Sequence, residues 1–171
     1  YSEPVYTQID VMDYYKRKDD QPASKEDFYN NPTAYTSNFE RFSKVSDIFM
    51  AGHFYGNDGP EILSQEMLNA PDCKIKVVAD ISCDVDGPIA CTLKASTIAE
   101  PLFGYLPSEH KEVPYMHPGA IVVMSVDNLP CELPKDASEG FGEMFMKHVI
   151  PAFFNGDKDG ILARAKMTEN G

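Results

Sequence analysis

Residues 76–87 read KVVADISCDVDG, and residues 122–130 read VVMSVDNLP. Each is an apolar run that stops at an aspartate beside small polar residues. Neither alternates apolar with polar, so neither predicts a strand with one wet face. Unalternating runs rich in valine and isoleucine predict strands covered on both faces, as in a parallel sheet. No hairpin turn follows either aspartate. Both ends therefore read as carboxyl ends of parallel strands, the rim where open α/β sheets place their ligands. On pattern alone a plainer reading is equally open, with Asp80, Asp84 and Asp127 as turn residues and helix caps.

Working outward, 46–54 (SDIFMAGHF) is a third apolar run of strand length, and 61–71 (EILSQEMLNAP) predicts a short helix stopped by Pro71. With strands at 75–81 and 120–126, the order strand, helix, strand predicts a βαβ unit, and the fold class is α/β. Three loops, 54–59, 81–87 and 126–130, should then share one rim. Residues 88–119 hold several prolines and no helical period, which predicts loop with short extended pieces near 102–106. Asp136 and Glu139 mark a helix start. From there Phe141, Met144, Phe145, His148, Val149 and Ala152 recur at helical spacing. A last helix is expected over 158–168. Near the beginning, 5–9 alternates as a short strand. Ser24 with Asp27, and Asn31 before Pro32, predict helical pieces at 25–30 and 32–44. This polar lead-in is expected to be the most exposed part.

The chain has 171 residues, 43% of them hydrophobic, enough for one ordinary core. No apolar run approaches the roughly eighteen residues of a membrane span, so no membrane partner is expected. The net charge of −12 opposes a nucleic-acid-binding face. It leaves a dinucleotide open, because backbone N–H groups can bind pyrophosphate in an acidic protein. Cys73, Cys83, Cys91 and Cys131 form no CxxC pair, and the four histidines show no metal spacing. Reduced thiols and a cytoplasmic location are expected.

Motifs narrow the chemistry further. Asp84-Val85-Asp86-Gly87 lacks the third oxygen ligand and the later glutamate of a calcium loop. No GxSxG elbow occurs, and Cys83 has no histidine within its own segment to activate it. His53 can reach the same rim, where a lone histidine reads as a satisfied structural residue. No GxGxxG turn is present; Gly52, Gly56 and Gly59 have the wrong spacing for one.

The segments SDIFMAGHFYGNDGPEILSQEML, KIKVVADISCDVDGPI, TIAEPLFGY, PGAIVVMSVDNLPCELPKDASEGFGEMFMKHVIPAF and ILARAKM resemble the C-terminal half of lysine-forming saccharopine dehydrogenases. They equally resemble the lysine–ketoglutarate reductase portion of bifunctional lysine-degrading enzymes. Both groups lie in the alanine dehydrogenase and pyridine nucleotide transhydrogenase superfamily. The resemblance covers about 39–166, and the VDNLP…LP…AS run is its most specific part. It implies a partial Rossmann-like parallel sheet, the later strands of an NAD-binding domain, with helices on its faces. By this reading 1–45 is a lead-in or insertion, 46–135 the second half of the NAD(P)-binding domain, and 136–171 a helical segment returning to a substrate domain.

The resemblance also implies roles. Phe54, with Tyr55 beside it, falls where the family has an aromatic residue next to the cofactor. Ile81 follows the strand-ending Asp80 on the nicotinamide side. Val126, Asp127, Asn128 and Leu129 match a second cofactor loop, with Asn128 where the family has histidine. Ser82, Cys83 and Asp84 match a segment contacting an amino-acid substrate, with Cys83 in place of alanine. The implied reaction is hydride transfer between NAD (or NADP) and the carbon of an imine joining an amino acid to a 2-oxo acid. Family members carry the catalytic lysine, the histidine and the phosphate loop upstream of the segments matched here. The resemblance thus implies no catalytic residue in this chain, inactivity of the chain alone, and the N-terminal part of the same enzyme as partner. Apolar surface on such a portion would also admit a homo-oligomer. The alternative is a stand-alone α/β module binding a small ligand without redox activity.

Overall fold

The computed structural model of the chain describes residues 3–53 and 59–169. Two compact units emerge, 1–127 and 128–171. In the first, the three apolar runs form β3 (Ile48–Ala51), β4 (Val77–Asp80) and β7 (Ile121–Met124). β3 pairs with β4 and β4 with β7, both parallel, with Ile48, Val77 and Val122 in register. The extended piece near 102–106 is β5 (Leu102–Leu106), antiparallel to β7. β6 (Lys111–Val113), three residues and largely charged, pairs antiparallel with β5. The sheet order is β3-β4-β7-β5-β6. The result is a mixed α/β sheet with a parallel core, consistent with a Rossmann-like arrangement.

One face of this sheet carries the core. Ala51, Val78, Phe103, Tyr105, Ile121 and Val123 are buried. The opposite face departs from the expectation that both sides are covered. In-register Ile48 and Met50 on β3 are 61% and 60% exposed, and Leu102 is 43% exposed. Val77, Ala79, Val122 and Met124 between them are half-buried. An apolar row therefore lies on the side away from the core, exposed at Ile48, Met50 and Leu102 and half-buried between them.

The lead-in is more than an exposed extension. Residues 5–9 form no strand. Instead Asp10 caps α1 (Val11–Tyr14), which runs into β1 (Tyr15–Arg17). α2 (Lys25–Asn30) starts at Ser24 as its capping predicts, the side chain accepting the Asp27 N–H. The helix expected over 32–44 breaks into a 3₁₀ turn at Pro32–Ala34, β2 (Tyr35–Ser37) and α3 (Glu40–Ser43). β2 pairs antiparallel with β1. Tyr15 stacks on Phe28 at 4.7 Å, Phe28 meets Tyr35 edge-on at 5.2 Å, and Phe39 packs on Phe49 of β3 at 4.5 Å. Tyr35 is fully buried, its hydroxyl donating to Asp27, which also pairs with Arg17. The lead-in thus shares the hydrophobic core of the sheet.

The helix expected at 61–71 shortens to α4 (Gln65–Leu68), capped by Ser64. Ile62 and Leu63 are buried, both of their N–H groups reach Pro88 O, and Leu63 bridges Ile89 in parallel. That burial draws the segment out of helix.

In the second unit, α5 (Pro134–His148) begins two residues before Asp136, with proline at its first position. α6 (Ile150–Phe154) and α7 (Ile161–Ala165) follow. Phe141 and Phe145 stack at 5.8 Å on the expected stripe, and Phe141 and Met144 are exposed. Gly160, at φ +65°, blocks an earlier start of α7. Among the described residues no helix is long and apolar enough to cross a membrane.

Candidate functional site

The parallel core sets β3, β4 and β7 so that their carboxyl ends emerge at one rim. Asp80, the last residue of β4, is fully buried there. One carboxylate oxygen accepts the Cys83 N–H at 3.1 Å, the other the Thr92 hydroxyl at 2.6 Å. A hydrogen-bond donor on each oxygen is the arrangement a buried carboxylate requires. It also bends the chain sharply, since Cys83 takes φ +51°, a left-handed conformation that costs a non-glycine residue about 1 kcal/mol or more. The Ile81 and Ser82 N–H groups both reach Ala51 O, at 2.8 and 3.3 Å, so the β3–β4 pairing extends past the strand end.

The tip of β7 is tied to the same loop. The Cys83 thiol donates to Ser125 O at 3.0 Å. Ser125 is buried; its hydroxyl donates to Lys94 O at 2.7 Å, and its N–H to the Ser96 hydroxyl at 3.1 Å. Burial pushes the Cys83 thiol up, and Asp80, Asp127 and Asp84 push it further. It stays protonated at neutral pH and is a poor nucleophile. This corner supports a held backbone, not a reactive sulfur.

His53, two residues beyond β3, faces Ser82. The His53 N–H donates to Ser82 Oγ at 3.1 Å, and Ser82 Oγ donates to His53 O at 2.8 Å. His53 Nδ1 lies 3.4 Å from the same hydroxyl. His53 Nε2 is buried and meets no hydrogen-bond partner among the described residues. A polar ring atom left so costs about 1–3 kcal/mol. Burial lowers the pKa of His53 from its ordinary 6.5, opposed by Asp80 and Asp84. The expectation of a satisfied structural histidine is corrected, because the ring is satisfied on one side only.

Of the residues singled out in the sequence, the structure brings Ile81, Ser82, Cys83 and Asp84 together with Val126 and Asp127. Ile81 is 46% exposed, Ser82 to Asp84 are half-buried, Val126 is buried and Asp127 exposed. Asp84 O accepts the Gly87 N–H at 3.0 Å, closing the 84–87 turn. Asn128 and Leu129 belong to the second unit, at the head of a 3₁₀ turn, Leu129–Glu132. Phe54 and Tyr55 lie outside the described residues. Sequence reasoning placed His53 at this rim but set it aside as structural. Its only local signal is a histidine just past an apolar strand and a glycine; what matters is its pairing with a residue 29 positions away.

Comparison with known proteins adds to this geometry. No protein-family model matches the chain. It is 29% identical over 141 residues to an alpha-aminoadipic semialdehyde synthase of Arabidopsis thaliana, 80% of this chain and 13% of that protein. It is 32% identical over 124 residues to a lysine-forming, NAD+-dependent saccharopine dehydrogenase of Schizosaccharomyces pombe, 71% of this chain and 32% of that one. A mouse mitochondrial alpha-aminoadipic semialdehyde synthase is 26% identical over 151 residues, 78% of this chain and 16% of the relative. The curated homologues of this chain are therefore saccharopine dehydrogenases and alpha-aminoadipic semialdehyde synthases, at modest identity over most of its length. The chain spans a third or less of the length of the relatives described here.

Proposed function

We propose that this chain is a portion of an NAD(P)-dependent amino-acid dehydrogenase of the saccharopine or alanine dehydrogenase type. It would supply the later strands of the nicotinamide-binding domain (46–135) and a helical segment (136–171) that returns to a substrate domain. The reading rests on homology to longer dehydrogenases. The observation that carries it is the rim itself: three parallel strands releasing 52–53, 81–84 and 125–127 side by side. A nicotinamide dinucleotide fits this rim on one structural ground, the orphaned acceptor at His53 Nε2, since a ligand carrying O–H or N–H groups supplies what that atom lacks. The bare apolar row of Ile48, Met50 and Leu102 supports the portion reading, because a Rossmann-like sheet normally has helices on both faces.

The bound cofactor would supply the hydride chemistry, and the chain's own residues orientation and exclusion of water. Ile81 would present its backbone to the nicotinamide side, with Val126, Asp127, Asn128 and Leu129, and Phe54 or Tyr55, as further cofactor contacts. Asp84, a half-buried carboxylate with no cationic partner among the described residues, would receive the substrate's ammonium group. Ser82 and Cys83 would hold the loop that presents it. The catalytic acid–base pair would come from the N-terminal part of the same enzyme.

The test is an assay of the full-length protein. NADH or NADPH oxidation is expected to require a 2-oxo acid together with an amine, an amino acid for the saccharopine type or ammonium for the alanine type. Asp84→Ala should raise KM for that amine with NADH affinity nearly unchanged. No consumption of either nucleotide with any such pair sinks the reading; an unchanged KM removes Asp84 from the site.

A further inference from the structure

His53 and Ser82 exchange bonds in a way that sets the protons. A hydroxyl has one proton, and Ser82 gives it to the nearest acceptor, His53 O at 2.8 Å; Ala51 O is 3.5 Å away and His53 Nδ1 3.4 Å. The Ser82 oxygen then accepts from the His53 N–H at 3.1 Å, and toward Nδ1 it can only accept again. The ring proton therefore sits on Nδ1, and Nε2 carries a bare lone pair. This Nε2 is buried at the carboxyl rim of a parallel sheet, with no donor among the described residues to meet it.

We infer that His53 is a ligand-binding residue, its Nε2 accepting a hydrogen bond from a neutral O–H or N–H donor on the nicotinamide riboside half of the dinucleotide. Ser82 is the positioning residue that selects the tautomer. The assignment rests on the dehydrogenase reading above. An ammonium group is the poorer match for this atom. The carboxylates of Asp80 and Asp84 lie close enough to act on the His53 ring, and Asp84 offers a charged partner that an ammonium would take first. A ribose hydroxyl or a carboxamide N–H has no charge to satisfy and pairs well with a neutral imidazole. Losing one such buried bond lowers affinity about tenfold.

The experiment uses the full-length protein, wild type, His53→Leu and His53→Gln, with NADH affinity measured by fluorescence titration. His53→Leu is expected to weaken NADH binding about tenfold. His53→Gln, which keeps an acceptor, should stay closer to wild type, and amino-acid binding should be unchanged in both. The 3-acetylpyridine analogue of NADH, which lacks the amide N–H, separates the two donors. If His53→Leu weakens the analogue as much as NADH, the ribose hydroxyl is the donor. If the analogue is indifferent to the substitution, it is the carboxamide. A readout without substitution is the imidazole ¹⁵N spectrum of wild type, where the unprotonated nitrogen of His53 should be Nε2 and move upfield on adding NADH. NADH affinity in His53→Leu equal to wild type, an Nε2 resonance that ignores NADH, or a loss confined to the amino acid each overturns the inference while leaving the dehydrogenase reading intact. Wild type that binds no nicotinamide nucleotide overturns both.

Discussion

At the residue scale, the rim is organised by groups that bond inward. Asp80 spends both carboxylate oxygens on its own loop and Thr92, and Cys83 donates its thiol to Ser125 O. Among the described residues, His53 Nε2 is the buried side-chain polar atom left without a hydrogen-bond partner, and the burial of this ring has a consequence for pH. The pKa of His53 is lowered in the folded chain, by desolvation foremost, with Asp80 and Asp84 opposing. Unfolding restores the ordinary value near 6.5, so in the interval below it the unfolded state binds more protons. Stability contributed by this group is therefore present above 6.5 and is lost as pH falls through the folded pKa. Denaturant midpoints measured from pH 7.5 to 5.5 should decline for wild type and decline less for His53→Gln. Parallel declines would show that the ring is not held neutral by burial.

Among the elements, the sheet depends on one close approach. A Cβ at Gly104 would lie 2.6 Å from Pro114 O and 2.9 Å from Val113 O, backbone atoms that cannot swing away. Gly104 sits in β5, paired with Val113 of β6 on one side and Val122 of β7 on the other. Gly104→Ala should push β6 off the sheet edge and cost about 1–3 kcal/mol, an overpacking penalty. Hydrogen exchange should speed at 111–113 while 77–80 stays protected. Uniform protection after the substitution would mean that the approach is looser than it looks. The lead-in teaches a related point. Its aromatic residues, at positions 15, 28 and 35 in three short elements and at 39 in the turn before α3, follow no single period in the sequence that reports that they meet.

For the molecule as a whole, the bare face of the sheet and the greater length of the relatives point the same way. Ile48 and Met50 lie on that face, more than half exposed. If the rest of a longer enzyme covers this row, Met50→Glu should change the stability of the 171-residue chain alone by about 0.5 kcal/mol or less. In the full-length protein it should cost about 1–3 kcal/mol, from a carboxylate buried without a partner. Denaturation of the two forms in parallel checks this. Equal, small effects in both would place the row in solvent and remove that support for the portion reading.

What the sequence determined by itself was the parallel core and its rim. Apolar runs at 46–54, 75–81 and 120–126, with a glycine or aspartate near each strand end, report the strands directly, because a run and its stop are written in adjacent residues. The long helix was legible from Asp136 onward through its spacing, but its end was not: it closes at His148, and Ala152 of the expected stripe falls in α6. Only the tertiary structure decided which face is bare, where the lead-in packs, and that Leu63 leaves helix to lie against Ile89. The same holds for His53, whose tautomer depends on a hydroxyl 29 residues away. Such features depend on atoms brought together by folding across long stretches of chain, and no local pattern of residue types carries them.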